Sequence, residues 1–240
     1  MSSTLAKYFH DVQVDCPYGR PFQAVYRQAH FGTLPNRATD LFLAAGFRRN
    51  GNYLYTMACP DCQSCVPIRL QPSQFVANRS QRRTILRNQD LTTKLAPIQI
   101  NSQKLALCDK FLRQRFPDKS NSALDYYAGF FINSMGTTFE LEFWHDDHLI
   151  GVSIIDLSPE AINCVYFYFD PDESWRSPGT YNILTLIDYA LSHHIDYVYL
   201  GYWISEVGAM RYKAHFTPHF LLEDGKWRKQ SRQSKKVTHD

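Results

Sequence analysis

From about residue 92 onward the chain keeps switching its hydrophobic period, and that alternation calls for a mixed α+β fold. A strand pattern over 92–100 precedes a helix over 102–115, where Leu105, Leu107, Phe111 and Leu112 make a partial apolar stripe. A second helix near 122–133 carries Leu124, Tyr127, Phe130 and Phe131. Three strands follow at 137–144, 148–156 and 162–169, the first two joined by the tight turn Asp146-Asp147. Next come a helix over 179–193, a strand over 196–201, a short helix over 206–214 and a strand near 218–223. The tail from Lys226 to Asp240 carries six Lys or Arg and reads as frayed. At 240 residues, with 44% hydrophobic and 20% charged, the chain is neither disordered nor fibrous. A net charge of +3 excludes a histone-like polycation.

The first third reads differently. Between Cys16 and Gln71 turn formers dominate, with short strands expected over 22–31, 53–57 and 66–70 and one helix from Pro35 to Ala45. Thr39 and Asp40 stand near the start of that helix and Gly46 marks its stop. Cys59, Cys62 and Cys65 form a Cys-x2-Cys-x2-Cys run beside Pro60 and Pro67, and Cys16 lies in its own Pro-Tyr-Gly turn. Four thiolates on tight turns can converge on one ion, closing a structural zinc site or holding an iron–sulfur cluster. Three cysteines crowding one loop by chance is the alternative. The first ten residues lack the apolar core of a signal peptide, and no apolar run nears the ~20 residues that span a bilayer. A cytoplasmic protein with no membrane partner is expected, and Cys108 and Cys164 read as ordinary buried thiols.

Two further segments carry candidate chemistry. From 76 to 95, four Arg and one Lys stand against Asp90 alone, and Ser80 is placed to cap a helix bearing Arg83 and Arg87 on one face. After the aromatic run Tyr166–Asp170, the turn Arg176-Ser177-Pro178-Gly179 opens a helix whose first amides suit an anion; an ordinary helix start is the plain alternative.

Several of these stretches together resemble the arginyl-tRNA–protein transferase family, its short bacterial aspartate/glutamate leucyltransferase type. The resemblance runs over nearly the whole chain. It rests on Cys59–Cys65 with Val66-Pro-Ile-Arg69, on Asn78-Arg-Ser-Gln-Arg82-Arg83 with Asn88 and Asp90, and on Val165-Tyr-Phe-Tyr-Phe-Asp-Pro171. Tyr199-Leu-Gly-Tyr-Trp203 and Met210-Arg-Tyr-Lys213-Ala-His-Phe-Thr-Pro218 complete it. The chain departs from the family pattern at Pro178, at Arg115-Phe116 and at Asn163-Cys164.

The resemblance implies a small cysteine-containing N-terminal lobe with the basic segment (1–91), then a GNAT-like acyltransferase domain (92–240). It implies an aminoacyl-tRNA donor, leucyl-tRNA above all, and an acceptor that is the α-amine of a protein beginning with Asp or Glu. The product would carry a destabilising N-terminus. Such acyl transfer requires no cofactor; it needs alignment, deprotonation of an ammonium and a held oxyanion. Candidates for that work are Asp156, Tyr168, Asp170, Tyr202 and Lys213, each with a structural role as its alternative. An acidic first residue calls for a planar cationic fork, for which Arg79, Arg82 and Arg83 are the candidates, against a solvated face or one that touches tRNA phosphate. Arg176, Ser177, Gly179 and Trp203 are assigned to the tRNA donor, and Cys16, Cys59, Cys62 and Cys65 to the metal or cluster. Three other functions remain alongside: arginyl-tRNA-dependent transfer, CoA-dependent N-acetylation, and a non-catalytic zinc-containing nucleic-acid-binding module.

Overall fold

A computed structural model describes residues 7–118 and 120–231. Two sheets organise them. The smaller has four antiparallel strands in the order β1 (His10–Asp15), β2 (Gln23–His30), β4 (Tyr53–Met57), β3 (Arg48–Asn50). Helix α1 (Asn36–Ala44) connects β2 to β3. Its N-cap is Pro35, not Thr39 or Asp40; Asp40 instead accepts a hydrogen bond from Ser158. Gly46 does end this helix: its φ is +90°, and a Cβ there would lie 2.6 Å from Leu222.

The larger sheet has eight strands in the order β12 (Lys226–Gln230), β11 (His219–Glu223), β5 (Val66–Leu70), β10 (Tyr197–Trp203), β9 (Ala161–Phe169), β8 (His148–Leu157), β7 (Thr138–His145), β6 (Thr92–Pro97). Every neighbouring pair is antiparallel except β9 with β10. Strand β5, from the segment expected to belong with the N-terminal lobe, lies inside this sheet between β10 and β11. Strand β12 takes up the start of the tail; the rest of the tail, read as frayed, falls outside the described residues.

Helices cover both faces of the larger sheet. Helix α5 (Pro178–Ser192), the crossover that parallel pairing of β9 and β10 requires, buries Ile183, Leu186 and Ile187 against Ile68, Leu70 and Val198. On the other face lie α3 (Ser102–Arg115) and α4 (Ala123–Tyr126), with Phe111, Tyr127 and Phe131 against Val152, Ile154 and Tyr168. Covered on both sides, β8 is buried at eight of its ten positions, so it reads as a continuous apolar run rather than an alternation. The helix expected over 122–133 is α4 continued by a wider π turn over Tyr127–Phe131.

Helix α2 (Arg79–Arg87) begins at Asn78, not at Ser80. The Asn78 side chain accepts from the Gln81 amide at 3.0 Å, and Gln81 Oε1 accepts from the Asn78 amide at 2.9 Å. That reciprocal cap satisfies two orphan helix donors. Asn78→Ala is expected to cost about 1 kcal/mol, read as a lowered Tm; an unchanged Tm would show that packing on α5 alone holds α2.

Candidate active site

The two parallel strands are joined over only three pairs, Ala161–Asn163 with Tyr197–Tyr199. Beyond these, β9 runs on to Phe169 and β10 to Trp203 without pairing each other, so the sheet parts between them. Both strands are irregular where they part. Val165 is an extra residue in β9 opposite the Ile154/Ile155 step, and β10 shifts register against β5 between Tyr199 and Tyr202. Bulges of this kind turn side chains and backbone groups out of a ladder. Gly201, at φ +86°, adopts a conformation that glycine favours, and it brings the β10 backbone beside Lys213.

Lys213 stands at the opening. It comes from a short 3-10 turn (Tyr212–His215), and its Nζ donates to the Tyr202 carbonyl at 2.9 Å. Desolvation pushes its pKa down to about 8; the Cys164 thiol works upward and the Arg48 guanidinium downward. Arg48, from β3, donates to the Gly201 carbonyl at 3.1 Å and lies over the rings of Tyr199 and Tyr202. Burial raises the Cys164 thiol to about 12 and also raises the Tyr202 phenol, whose hydroxyl donates to the Gly46 carbonyl.

Asp156 lies on β8 beside β9 and is engaged on all sides. Arg49 Nε donates to both its oxygens at 3.0 and 2.8 Å, Thr138 Oγ1 to Oδ1 and Asn163 Nδ2 to Oδ2. Behind this pair is a small cavity lined mainly by Phe42, Phe47, Leu54, Met135 and Leu157.

Other expected site residues are placed elsewhere. Tyr168 is fully buried, its hydroxyl 2.5 Å from that of Tyr127, within the core under α3. Asp170 caps the turn over Pro171–Arg176 and binds Lys110 at 2.5 Å; burial alone would raise its pKa, but Lys110, the Asp172 amide and His148 together hold it low. Arg176 is not open to a donor phosphate. It is 4% exposed, donates to both Asp90 oxygens at 2.8 and 2.7 Å, and binds Glu173 at 2.6 Å. With Asn88 donating to the Arg176 carbonyl, it ties the end of α2 to the start of α5. Ser177, at φ +57°, makes no side-chain cap for α5, and Gly179 faces the Tyr212 ring. Trp203 packs against the core beneath α5 and leaves its buried Nε1 without a partner. Arg79, Arg82 and Arg83 are all exposed on α2.

Cys16, Cys59, Cys62 and Cys65 line one cavity with Tyr18, Arg20 and Ile204. Their donor chemistry suits a thiophilic ion. Among the described residues no three His, Cys, Asp or Glu side chains are placed to share a metal ion, and the Cys59 sulfur accepts from the Val25 amide.

Sequence reasoning overlooked Arg48 and Arg49. An Arg-Arg pair ahead of the Gly51-Asn52 turn looks like solvated surface, and only the folded chain shows that both are buried.

Two family profiles match this architecture in succession. The arginine-tRNA-protein transferase N-terminus profile covers residues 14–83 and the C-terminus profile residues 103–223, so the chain belongs to the arginine-tRNA-protein transferase family. Among its relatives, an aspartate/glutamate leucyltransferase of Acinetobacter baumannii is 39% identical over 190 residues, 78% of this chain and 70% of that protein. One of the same name from Marinobacter nauticus is 35% identical, covering 78% of this chain and 80% of the relative. Among solved structures, L-PGS from Bacillus licheniformis is similar at a TM-score of 0.47 and 11% identity, across 88% of this chain and 69% of that one.

Proposed function

We propose that this chain is an aminoacyltransferase that moves leucine from leucyl-tRNA to the α-amine of proteins beginning with Asp or Glu, marking them for degradation. The observation that carries this reading is the identity of 35–39% to proteins named aspartate/glutamate leucyltransferase, extending over 190 residues and 78% of the chain rather than one motif. The parted strands β9 and β10 are our reaction site, with the domain read as GNAT-like and the setting as cytoplasmic. No helix among the described residues is long and apolar enough to cross a membrane.

In this scheme the neutral α-amine attacks the ester carbonyl of the aminoacyl-tRNA. A tetrahedral oxyanion forms and collapses, the new amide is made, and the 3′-terminal ribose oxygen leaves with a proton. An activated ester and an amine need no covalent enzyme intermediate, so alignment and charge stabilisation are what the protein contributes. The amide of Val165, the residue without a ladder partner in β9, is our candidate for the oxyanion. Tyr202 and Lys213 are our candidates for lining the opening, and Asp156 with Arg49 braces β8 behind it. Tyr168 and Asp170 support the scaffold.

Offering radiolabelled leucyl-, phenylalanyl- and arginyl-tRNA, and acetyl-CoA, to an Asp-initiated peptide tests the reading. Label is expected on the peptide from leucyl-tRNA. Transfer from arginyl-tRNA or acetyl-CoA alone, or from none of the four, would overturn it.

A further inference from the structure

Four cations are buried among the described residues: Arg48, Arg49, Lys104 and Arg176, at 3–7% exposure. Three have carboxylate partners. Arg49 has Asp156, Lys104 has Glu140 and Glu142, and Arg176 has Asp90 and Glu173. Arg48 has none. Its guanidinium donates only to the carbonyls of Phe47 and Gly201, and its Nε is buried without a partner. A buried charge without a counter-ion is strongly disfavoured. The Tyr199 and Tyr202 ring faces, 5.4 and 5.7 Å away, offset part of that cost.

A second unpaired cation stands beside it. Lys213 binds no carboxylate among the described residues, and its amine meets the Tyr202 carbonyl just where Arg48 meets that of Gly201. Lys213 and Gly201 are only partly buried, so the cluster meets solvent on the Lys213 side at the parted strands, while Arg48 is buried. From the far side of Tyr199, Arg69 donates to its hydroxyl at 3.0 Å and adds to the positive field.

We infer that Arg48 and Lys213 form the receptor for the side-chain carboxylate of the acceptor's first residue. The inference rests on the proposed leucyl transfer and names the part of the site that reads the acceptor. A carboxylate at the end of a one- or two-carbon side chain is small enough for a site walled by tyrosines, and it supplies the missing counter-ion. A nucleic-acid phosphate arrives on a bulky strand and suits an open surface such as the exposed arginines of α2. Loss of the carboxylate should be costly, because a desolvated cation is then left unpaired.

The test compares peptides beginning with Asp, Glu, Asn and Gln, which differ at the first position by charge at nearly constant shape. The quantity read is the Asp:Asn ratio of kcat/KM within each preparation, which a misfolded fraction leaves unchanged. Lys213→Met is expected to compress that ratio by ~10- to 100-fold, and Arg48→Lys, which keeps charge but loses the fork, by a smaller factor. A ratio unchanged in both variants overturns the inference, as does a change confined to KM for leucyl-tRNA. Calorimetric titration of the wild type and Lys213→Met with Asp- and Asn-initiated peptides reads the same selectivity without turnover. Absence of leucine transfer by the wild type would overturn the proposed function, and the titration would still decide the receptor.

Discussion

Lys104→Met is expected to cost about 3–5 kcal/mol of folding stability, because it removes the cation from a buried site that holds two carboxylates. Lys104 projects from the first turn of α3 to Glu140 and to Glu142, the latter at 2.8 Å. All three side chains are at most 5% exposed. Glu140 also accepts from the Tyr127 hydroxyl at 2.9 Å and Glu142 from Trp144 Nε1 at 2.9 Å, so the network joins α3, β7 and the π turn. Desolvation works against the Lys104 charge, but the hydrogen bonds to Glu140 and Glu142 outweigh it and hold the pKa above the usual lysine value. A raised lysine pKa contributes stability that is complete below the unfolded value, ~10.4, and fades as pH climbs through the higher folded value. For a chain of this length the variant should lose on the order of 10 °C in Tm. Adding Glu140→Gln and Glu142→Gln should recover part of the loss, since neutral isosteres no longer need the cation. A single-variant loss below about 1 kcal/mol would mean that water reaches the carboxylates.

That network shows where the sequence is legible and where it is not. The apolar stripes of α3 and α5 and the runs of β7, β8 and β9 follow hydrophobic period, and all five elements lie close to their expected ranges. Strand β1 was missed because its six residues alternate weakly and are almost wholly exposed, so only pairing with β2 defines it. Strand β3 was missed because two of its three residues are arginines, which period analysis assigns to water. The same blindness hid the ion pairs. Nothing local to Arg49, Lys104 or Arg176 tells that a carboxylate 107, 36 or 86 residues away will meet it. The catalytic candidates divide on the same ground. Lys213 and Tyr202 come together at the parted strands because β10 and the turn after it are close in sequence. Tyr168 and Asp170 have the same local flavour but face the core and a cap.

Replacing Arg79, Arg82 and Arg83 together by Ala is expected to weaken aminoacyl-tRNA binding ~100-fold near 0.1 M salt while leaving KM for Asp-initiated peptides unchanged. These arginines project into solvent from α2; Arg82 donates only to the backbone carbonyl of Ala77, and none of the three meets a carboxylate among the described residues. Exposed arginine pairs weakly with a single carboxylate, by ~0–1 kcal/mol, too little to select Asp over Asn. Polyanions are different. Each phosphate neutralised releases condensed counter-ions, and three such contacts add on one rigid face. Rigidity comes from the Asn78 cap at one end and from Asp90 and Asn88, tied to Arg176 and its carbonyl, at the other. Arg87 belongs to the same face but is held by the Trp175 carbonyl at 2.5 Å, which fixes the helix against the turn that opens α5. The basic face is thereby anchored to the start of α5, the crossover between β9 and β10. Plotting log K against log salt decides the matter: the triple variant should flatten the slope by about 2 to 3. An unchanged slope together with a raised peptide KM would return these arginines to the acceptor and remove that role from Arg48 and Lys213.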